Sequence, residues 1–289
     1  MTIATDAPQV HLSDWIGRSE RRSDTIAAAP LSGLAATLDR PDDLDPVQGS
    51  IVPLLGHWLY FQPQAMQSQL GIDGHAEGGS FLPPVPLPRR MWAGGRIEFL
   101  HDLHVGDEVE RRSRIARVES KEGRSGSLVF VTVHHEISDA KGVAITEEHD
   151  IVFRSKPGPD APPVVPDKAP VDEAFRRDIV PDPVMLFRYS ALSFNGHRIH
   201  YDRKYVTEVE GYPGLIVHGP LIATFLVDLV QRNLPQARIA SFSFRAVGPL
   251  FDIEPFTVCG SLEPDGRTVR LWAKNIRGEL AMQAEAVIA

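Results

Sequence analysis

Apolar and polar side chains alternate through SLVFVTVHHEI (127–137), the period of a strand with one face on a core and the other toward water. The alternation breaks at the turn-forming DAKG (139–142) and resumes in AITEEHDIVF (144–153), so the pattern predicts a hairpin. TVRLWAKNI (268–276) alternates likewise and is closed by a turn at Arg277-Gly278. Two stretches repeat one order of short strand, break, strand, turn and terminal hairpin: residues 96–154 and residues 238–289. Phe99 and Phe244 hold similar places in them, which points to an internal duplication of one αβ unit. The copies differ in the middle. Pro220 to Asn233 is predicted as a helix, with proline at the first position, where its missing N–H costs nothing, and an unbroken LIATFLVDLV after it. That run is apolar nearly all round, as in a buried helix. The corresponding stretch of the first half, GIDGHAEGGSFLPPVPLPRR (71–90), holds four glycines and four prolines and excludes a long helix. The first copy has lost its central helix, and the room left behind suits a bulky substrate.

SKPGPDAPPVVPDKAP (155–170), with six prolines in sixteen residues, reads as an extended linker. The predicted organisation is a degenerate unit over 1–154, a proline-rich linker over 155–180 and a second unit over 181–289. The 289 residues carry a net charge of −8, which argues against general nucleic-acid binding. No run is long and apolar enough to span a bilayer, and the first residues, MTIATDAPQVHLSDWIG, lack the basic start and apolar core of a secretory signal. Cys259 is the single cysteine, so no intrachain disulfide forms and a reducing cytoplasm is the expected compartment.

The chemistry is concentrated in FNGHRIHYD (194–202), which sets His197 and His200 three residues apart behind Asn195 and before Asp202, and in LIVHGPL (215–221). A histidine near its ordinary pKa can take a proton from water at neutral pH. A helix N-terminus with a free backbone N–H can hold negative charge on a carbonyl oxygen, and His218-Gly219-Pro220 offers one. Alone, His200 reads as readily as a structural histidine; with Asn195 and the Gly-Pro helix start it reads as a base. His-x-x-His is also a metal spacing, with His218 as a third donor, yet the cysteines of a structural zinc site are missing. No Gly-x-Ser-x-Gly elbow or nucleotide-binding glycine loop occurs.

YSALSFNGHRIHYD (189–202) followed by GYPGLIVHGPL (211–221) resembles the hydratase motif of MaoC-like enoyl-CoA hydratases, which have the hot-dog fold. The nearer resemblance is to the two-repeat branch of hydroxyacyl-thioester dehydratase type 2 and mesaconyl-CoA hydratases. WIGRSERRSD, GHWLYFQP and FLPPVPLPRRMWAGG are similar to that branch's N-terminal half. The family pattern Asp-x-Asn-Pro-aliphatic-His falls on Asn195, His197, Arg198 and His200, so the histidine is kept and the carboxylate is not. The resemblance implies an α+β double hot-dog, two antiparallel sheets each wrapping a central helix, the N-terminal one degraded. It implies reversible hydration of a 2-enoyl-CoA with a short branched dicarboxylic acyl group, of the mesaconyl or itaconyl type. Expected roles are His200 as base and then proton donor, Asn195 holding the water, and the Gly219 N–H polarising the thioester. His197 and His218 would assist from beside them. His57 and Trp58 would line the acyl pocket, Arg89 or Arg90 would bind a substrate carboxylate or a coenzyme A phosphate, and Arg245 would meet the phosphates. No metal or redox cofactor is expected, coenzyme A being part of the substrate, and a homodimer is left open. A hot-dog thioesterase and a non-catalytic acyl-CoA binding module are the alternatives.

Overall fold

The computed structural model describes residues 11–77, 81–123, 126–155 and 165–289. Two copies of one αβ unit follow each other along the chain. The first contains strand β1 (Ser19–Thr25), helix α1 (Ala28–Leu38) and strands β2 (Arg89–Phe99), β3 (Glu108–Gly123), β4 (Gly126–Asp139) and β5 (Gly142–Arg154). The second contains β6 (Phe175–Ile179), helices α2 (Pro183–Leu192) and α3 (Gly219–Asn233), and β7 (Ile239–Ala246), β8 (Phe256–Leu262), β9 (Thr268–Asn275) and β10 (Leu280–Ile288). Both hairpins read from the alternation, β4–β5 and β9–β10, are present. Of the stretch 155–180 read as linker, residues 156–164 lie outside the described residues, and Phe175–Ile179 is a strand rather than linker. Its alternating FRRDI lets it pair with β8 at the sheet edge.

Strand order is the same in both halves, 1-3-4-5-2 in the first and 6-8-9-10-7 in the second, all antiparallel. The halves join where β2 pairs with β7, Gly94 opposite Arg245 and Ile97 opposite Phe242, giving one ten-stranded sheet. Each half thus covers an edge strand of the other, which removes an exposed template for aggregation. Gly95 is needed at this seam, because a Cβ there would come within 2.9 Å of the Phe244 ring.

Helix α3 explains its own sequence. Leu221 through Val230 are all buried, and the helix packs on β6, β8, β9 and β10, so it is apolar nearly all round, with Asp228 neutralised by arginines. Helix α2 starts where Asp182 accepts a hydrogen bond from the Met185 N–H at 2.7 Å, with Pro183 in the first turn, and it packs against α1. The first half has no counterpart of α3 among the described residues. Its place in chain order is taken by short 3-10 turns, Pro41–Asp43, Gly56–Leu59 and Gln67–Gln69, a small hairpin at residues 70–76 and the proline-rich run before β2. Residues 78–80 of that stretch lie outside the described residues.

Candidate active site

The site is built at the N-terminus of α3. The segment before it, Arg198–His200, forms one 3-10 turn that buries the His200 ring. The Nδ1–H of His200 donates to the Ile216 carbonyl at 2.7 Å, which fixes the tautomer and leaves the Nε2 lone pair to act. The ring stacks on His218 with centroids 3.7 Å apart. His218 is the N-cap residue of α3, directly before Gly219, so the candidate base and the candidate oxyanion donor are neighbours. A Cβ on Gly219 would meet nothing nearer than the Trp92 carbonyl oxygen at 3.9 Å, so this glycine keeps space open at the helix start. The first N–H groups of a helix have no partner within it.

Burial lowers the His200 pKa to about 4, against the Ile216 hydrogen bond that raises it, and His75 lowers it further. His218 is held well below the ordinary histidine value by burial and by His200 and His197. Its Nε2 bonds to the Ser190 hydroxyl at 2.8 Å and its Nδ1 is buried without a protein partner. Burial, then His75 and His200, lower His197 to about 2, so its ring is neutral. Asn195 is first of all a turn builder. Its Oδ1 accepts the His197 backbone N–H at 3.0 Å, which leaves the NH2 group to reach a water. Phe194 just before it has φ of 50°, a conformation costing a bulky residue ~1–3 kcal/mol, typical of functional turns. Asp202 pairs with Arg198 and caps the next turn through the Tyr205 N–H at 3.0 Å, a structural role.

One part of the site was not read from sequence. The hairpin at residues 70–76 of the first half docks on the hydratase motif: the Arg198 N–H donates to the Asp73 carbonyl at 2.9 Å, and the Arg198 guanidinium donates to the Ile72 carbonyl at 2.9 Å. Gly74, at φ of 88°, makes the contact, since a Cβ there would lie 1.9 Å from the Gly196 carbonyl oxygen. The docking delivers Asp73 and His75, joined Oδ2 to Nδ1 at 2.9 Å, with the His75 ring 4.1 Å from that of His197. Burial would raise the Asp73 pKa, but the His75 hydrogen bonds outweigh it and keep Asp73 ionised. Asp73, His75 and His197 bring one donor atom each to within 4.8 Å, a set that could take a cation, although the positive charge of Arg90 beside them opposes it. Arg90 has no ion-pair partner within 4 Å among the described residues, while Arg89 is committed to Glu210 at 3.3 Å and stacks on Tyr212.

The second element is a cavity of about 110 Å³ under β2–β5, where the first half lacks a central helix. His57 and Trp58 line it together with Trp92, Arg111, His135 and Glu147. Glu147 is fully buried and accepts from His57 Nε2 at 3.0 Å and Trp58 Nε1 at 2.8 Å, with His149 Nε2 also on it. Burial alone would raise its pKa; the His149 and His57 interactions prevail and hold it well below the carboxylate range. Leu55 and Phe61, both at positive φ, flank the His57 turn. The Trp92 carbonyl at the mouth of α3 and the Trp92 ring in the cavity wall tie the two places together. Arg245, by contrast, is not brought to the site. It is exposed on β7, and successive strand residues face opposite ways, so it points away from Phe244, which packs inward on Trp58 and Trp92.

The sequence profile of the hydroxyacyl-thioester dehydratase type 2 family matches residues 55–252, which include the docking hairpin, the cavity turn and the hydratase motif. This chain belongs to that family. It is similar to the mesaconyl-C(4)-CoA hydratase of Chloroflexus aurantiacus, 46% identical over 93% of this chain and 95% of the relative. It is also similar to the mitochondrial hydroxyacyl-thioester dehydratase type 2 of Schizosaccharomyces pombe, 27% identical over 89% of this chain and 93% of that one. Among solved structures, a MaoC-like dehydratase from Phytophthora capsici superposes with a TM-score of 0.71 at 17% identity, covering 97% of this chain and 98% of that one. A Mycobacterium tuberculosis protein described as a double hotdog superposes with a TM-score of 0.60 at 13% identity, covering 95% and 96%. The fold is therefore the double hot-dog expected from the motif. No helix among the described residues is long and apolar enough to cross a membrane.

Proposed function

We propose that the protein is a hydro-lyase that adds water reversibly to a short 2-enoyl-CoA, with a branched dicarboxylic acyl group of the mesaconyl type as its substrate. The observation that carries the reading is the His200 ring, tautomer fixed with Nε2 free, stacked beside the Gly219 start of a buried helix. In hydration the His200 lone pair takes a proton from water as the water oxygen bonds to the β-carbon. The electron pair of the double bond moves to the thioester oxygen, where the Gly219 N–H and the α3 dipole meet it. The Asn195 NH2 group helps to hold the water. The 46% identity to a mesaconyl-C(4)-CoA hydratase supports a short branched acyl group.

Arg90 is the side chain that fits a second carboxylate. Water attacks the β-carbon near His200, so a carboxylate on that carbon lies near the same cluster. A planar guanidinium with no ion-pair partner among the described residues can bind it through two parallel hydrogen bonds. Arg90→Met is expected to lower kcat/KM for mesaconyl-CoA on the order of 10²-fold, the loss typical of one partner of a desolvated charge pair. Crotonyl-CoA, which has no such carboxylate, should lose far less; equal losses on both would remove the clamp.

The activity itself is tested by incubating the protein with mesaconyl-CoA and crotonyl-CoA. Loss of the enoyl absorbance without release of free thiol is the expected result. Thiol release at the same rate would make the protein a thioesterase, and no change with either substrate would leave a binding module.

A further inference from the structure

We propose that Asp73 and His75 are the second acid–base group of this centre, returning from the N-terminal half the function of the carboxylate that the hydratase motif lacks at Asn195. The proposal rests on the hydratase reading above and adds a residue pair to it.

Adding water across an enoyl thioester moves protons at two places. One leaves the water as its oxygen bonds to the β-carbon, and one arrives at the α-carbon. His200 serves the first. The groups around it offer few candidates for the second. Asn195 does not titrate. His218 gives its Nε2 to Ser190 and lies flat against His200, where a second positive charge is opposed. His197 sits between two other imidazoles with no carboxylate on its ring nitrogens. His75 differs from all of them, because its Nδ1 faces an ionised carboxylate at 2.9 Å. That contact fixes the tautomer and stabilises an imidazolium, as a buried aspartate does for the histidine of a catalytic triad. Burial, with the Arg90 charge, outweighs the Asp73 contacts and lowers the His75 pKa, so the ring rests mostly neutral and the Asp73 contact is what brings its imidazolium within reach. The docking is specific as well: two hydrogen bonds to Arg198 and the close approach of Gly74 to Gly196 hold the pair against the motif that carries His200.

The hydration step then balances. The Nε2 lone pair of neutral His200 takes one proton from water while the oxygen–β-carbon bond forms. The double-bond pair shifts onto the thioester oxygen. The Nε2–H of the His75 imidazolium, whose Nδ1–H is on Asp73, protonates the α-carbon as the carbonyl reforms. His200 returns its proton to solvent water and His75 regains one, so the sum is one water added. Dehydration runs the same steps backward, with neutral His75 taking the α-proton.

The test uses full-length protein and two readouts: steady-state hydration of the enoyl-CoA, and entry of deuterium from D2O at the α-carbon of the 3-hydroxyacyl-CoA. His75→Gln should lower both by ~10²-fold or more, with KM changed only a few-fold. Asp73→Asn should follow it more weakly, with an unchanged circular dichroism spectrum. In His200→Gln, hydration should fall while α-exchange persists, a separation that a merely structural role for His75 would not produce. Wild-type protein that hydrates while His75→Gln and Asp73→Asn exchange the α-proton at the wild-type rate would overturn the pair and leave the hydratase reading standing. Wild-type protein that hydrates no enoyl thioester would overturn both. Activity lost on chelation and restored by Zn²⁺ would also overturn it, by turning the same side chains to a cation.

Discussion

His200→Gln is expected to lower kcat for enoyl-CoA hydration by roughly 10²–10⁴-fold, the usual contribution of a positioned general base, with a much smaller change in KM. Glutamine is close in size to imidazole and keeps a polar end toward the Ile216 carbonyl, so the loss reads the missing lone pair more than a missing contact. The pH profile gives an independent check. Burial places the His200 pKa at about 4, so the neutral base is present throughout the range above it. The acidic limb of the hydration rate should therefore fall near pH 4 and not near the ~6.5 of an unperturbed histidine. Stability has the same sign. The ring titrates near 6.5 when unfolded and near 4 when folded, so added protons favour the unfolded chain. Stability from this group is whole above the first value and declines as pH drops toward the second. A variant within a few-fold of wild type, or an acidic limb centred between pH 6 and 7, would show that another group does the work.

The parts of this site that were legible in sequence are those whose chemistry is local. FNGHRIHYD holds its turn, the proposed base and its turn-building asparagine within nine residues, and the Gly-Pro helix start needs only the chain around it. The strands were legible because the sheet buries one face, which the period of two records directly. The Asp73–His75 pair was not legible. GIDGHAEGG carries no periodicity, and its meaning depends on docking against a motif more than a hundred residues away. The cavity left a fainter trace. In VHHEI and TEEHD the inward positions His135, Glu147 and His149 are polar, the one sign within the alternating strands that these side chains face a cavity rather than a packed core. Which face of β7 Arg245 takes was not legible either, because a strand side chain's face depends on a register the sequence does not state. The duplication gives these observations one sense. The Gly56–Leu59 turn and the Arg198–His200 turn each follow the first helix of their unit, and each presents a histidine. In the second unit that histidine stands at a helix start with its Nε2 free; in the first it is tied to Glu147 and walls a cavity. On the proposed function, one copy keeps the chemistry and the other contains the acyl group.

Asp228→Ala is expected to cost about 3–5 kcal/mol of stability, the loss typical when one partner of a buried charge cluster is removed. Asp228 lies nine residues into α3, ~14 Å along the helix from Gly219. Its carboxylate is buried, 3% exposed, and meets Arg177 Nη1 at 2.7 Å, Arg232 Nε at 2.7 Å and the Arg40 guanidinium. Two of the arginines also satisfy the C-terminal end of α1: Arg177 and Arg232 donate to the Leu38 carbonyl at 3.1 and 2.9 Å, and Arg232 reaches the Asp39 carbonyl at 3.0 Å. One carboxylate thus fastens the end of α1, the edge strand β6 and the central helix to one another. Removing it leaves guanidinium groups that cannot shed their charge by deprotonation. Their side chains are 23–32% exposed, so they can turn partly to water, which places the loss toward the lower end of that range. A fall in Tm on the order of ten degrees should follow, and Asp228→Asn, which keeps the shape and one acceptor, should fall between the two. Added salt should rescue little of the difference, because a buried cluster is poorly screened. Well below its Tm the variant should still hydrate enoyl-CoA, since neither His200 nor the first turn of α3 touches this end of the helix. A change of less than about 1 kcal/mol, the range of an exposed ion pair, would show that the halves are held by the β2–β7 seam and apolar packing alone.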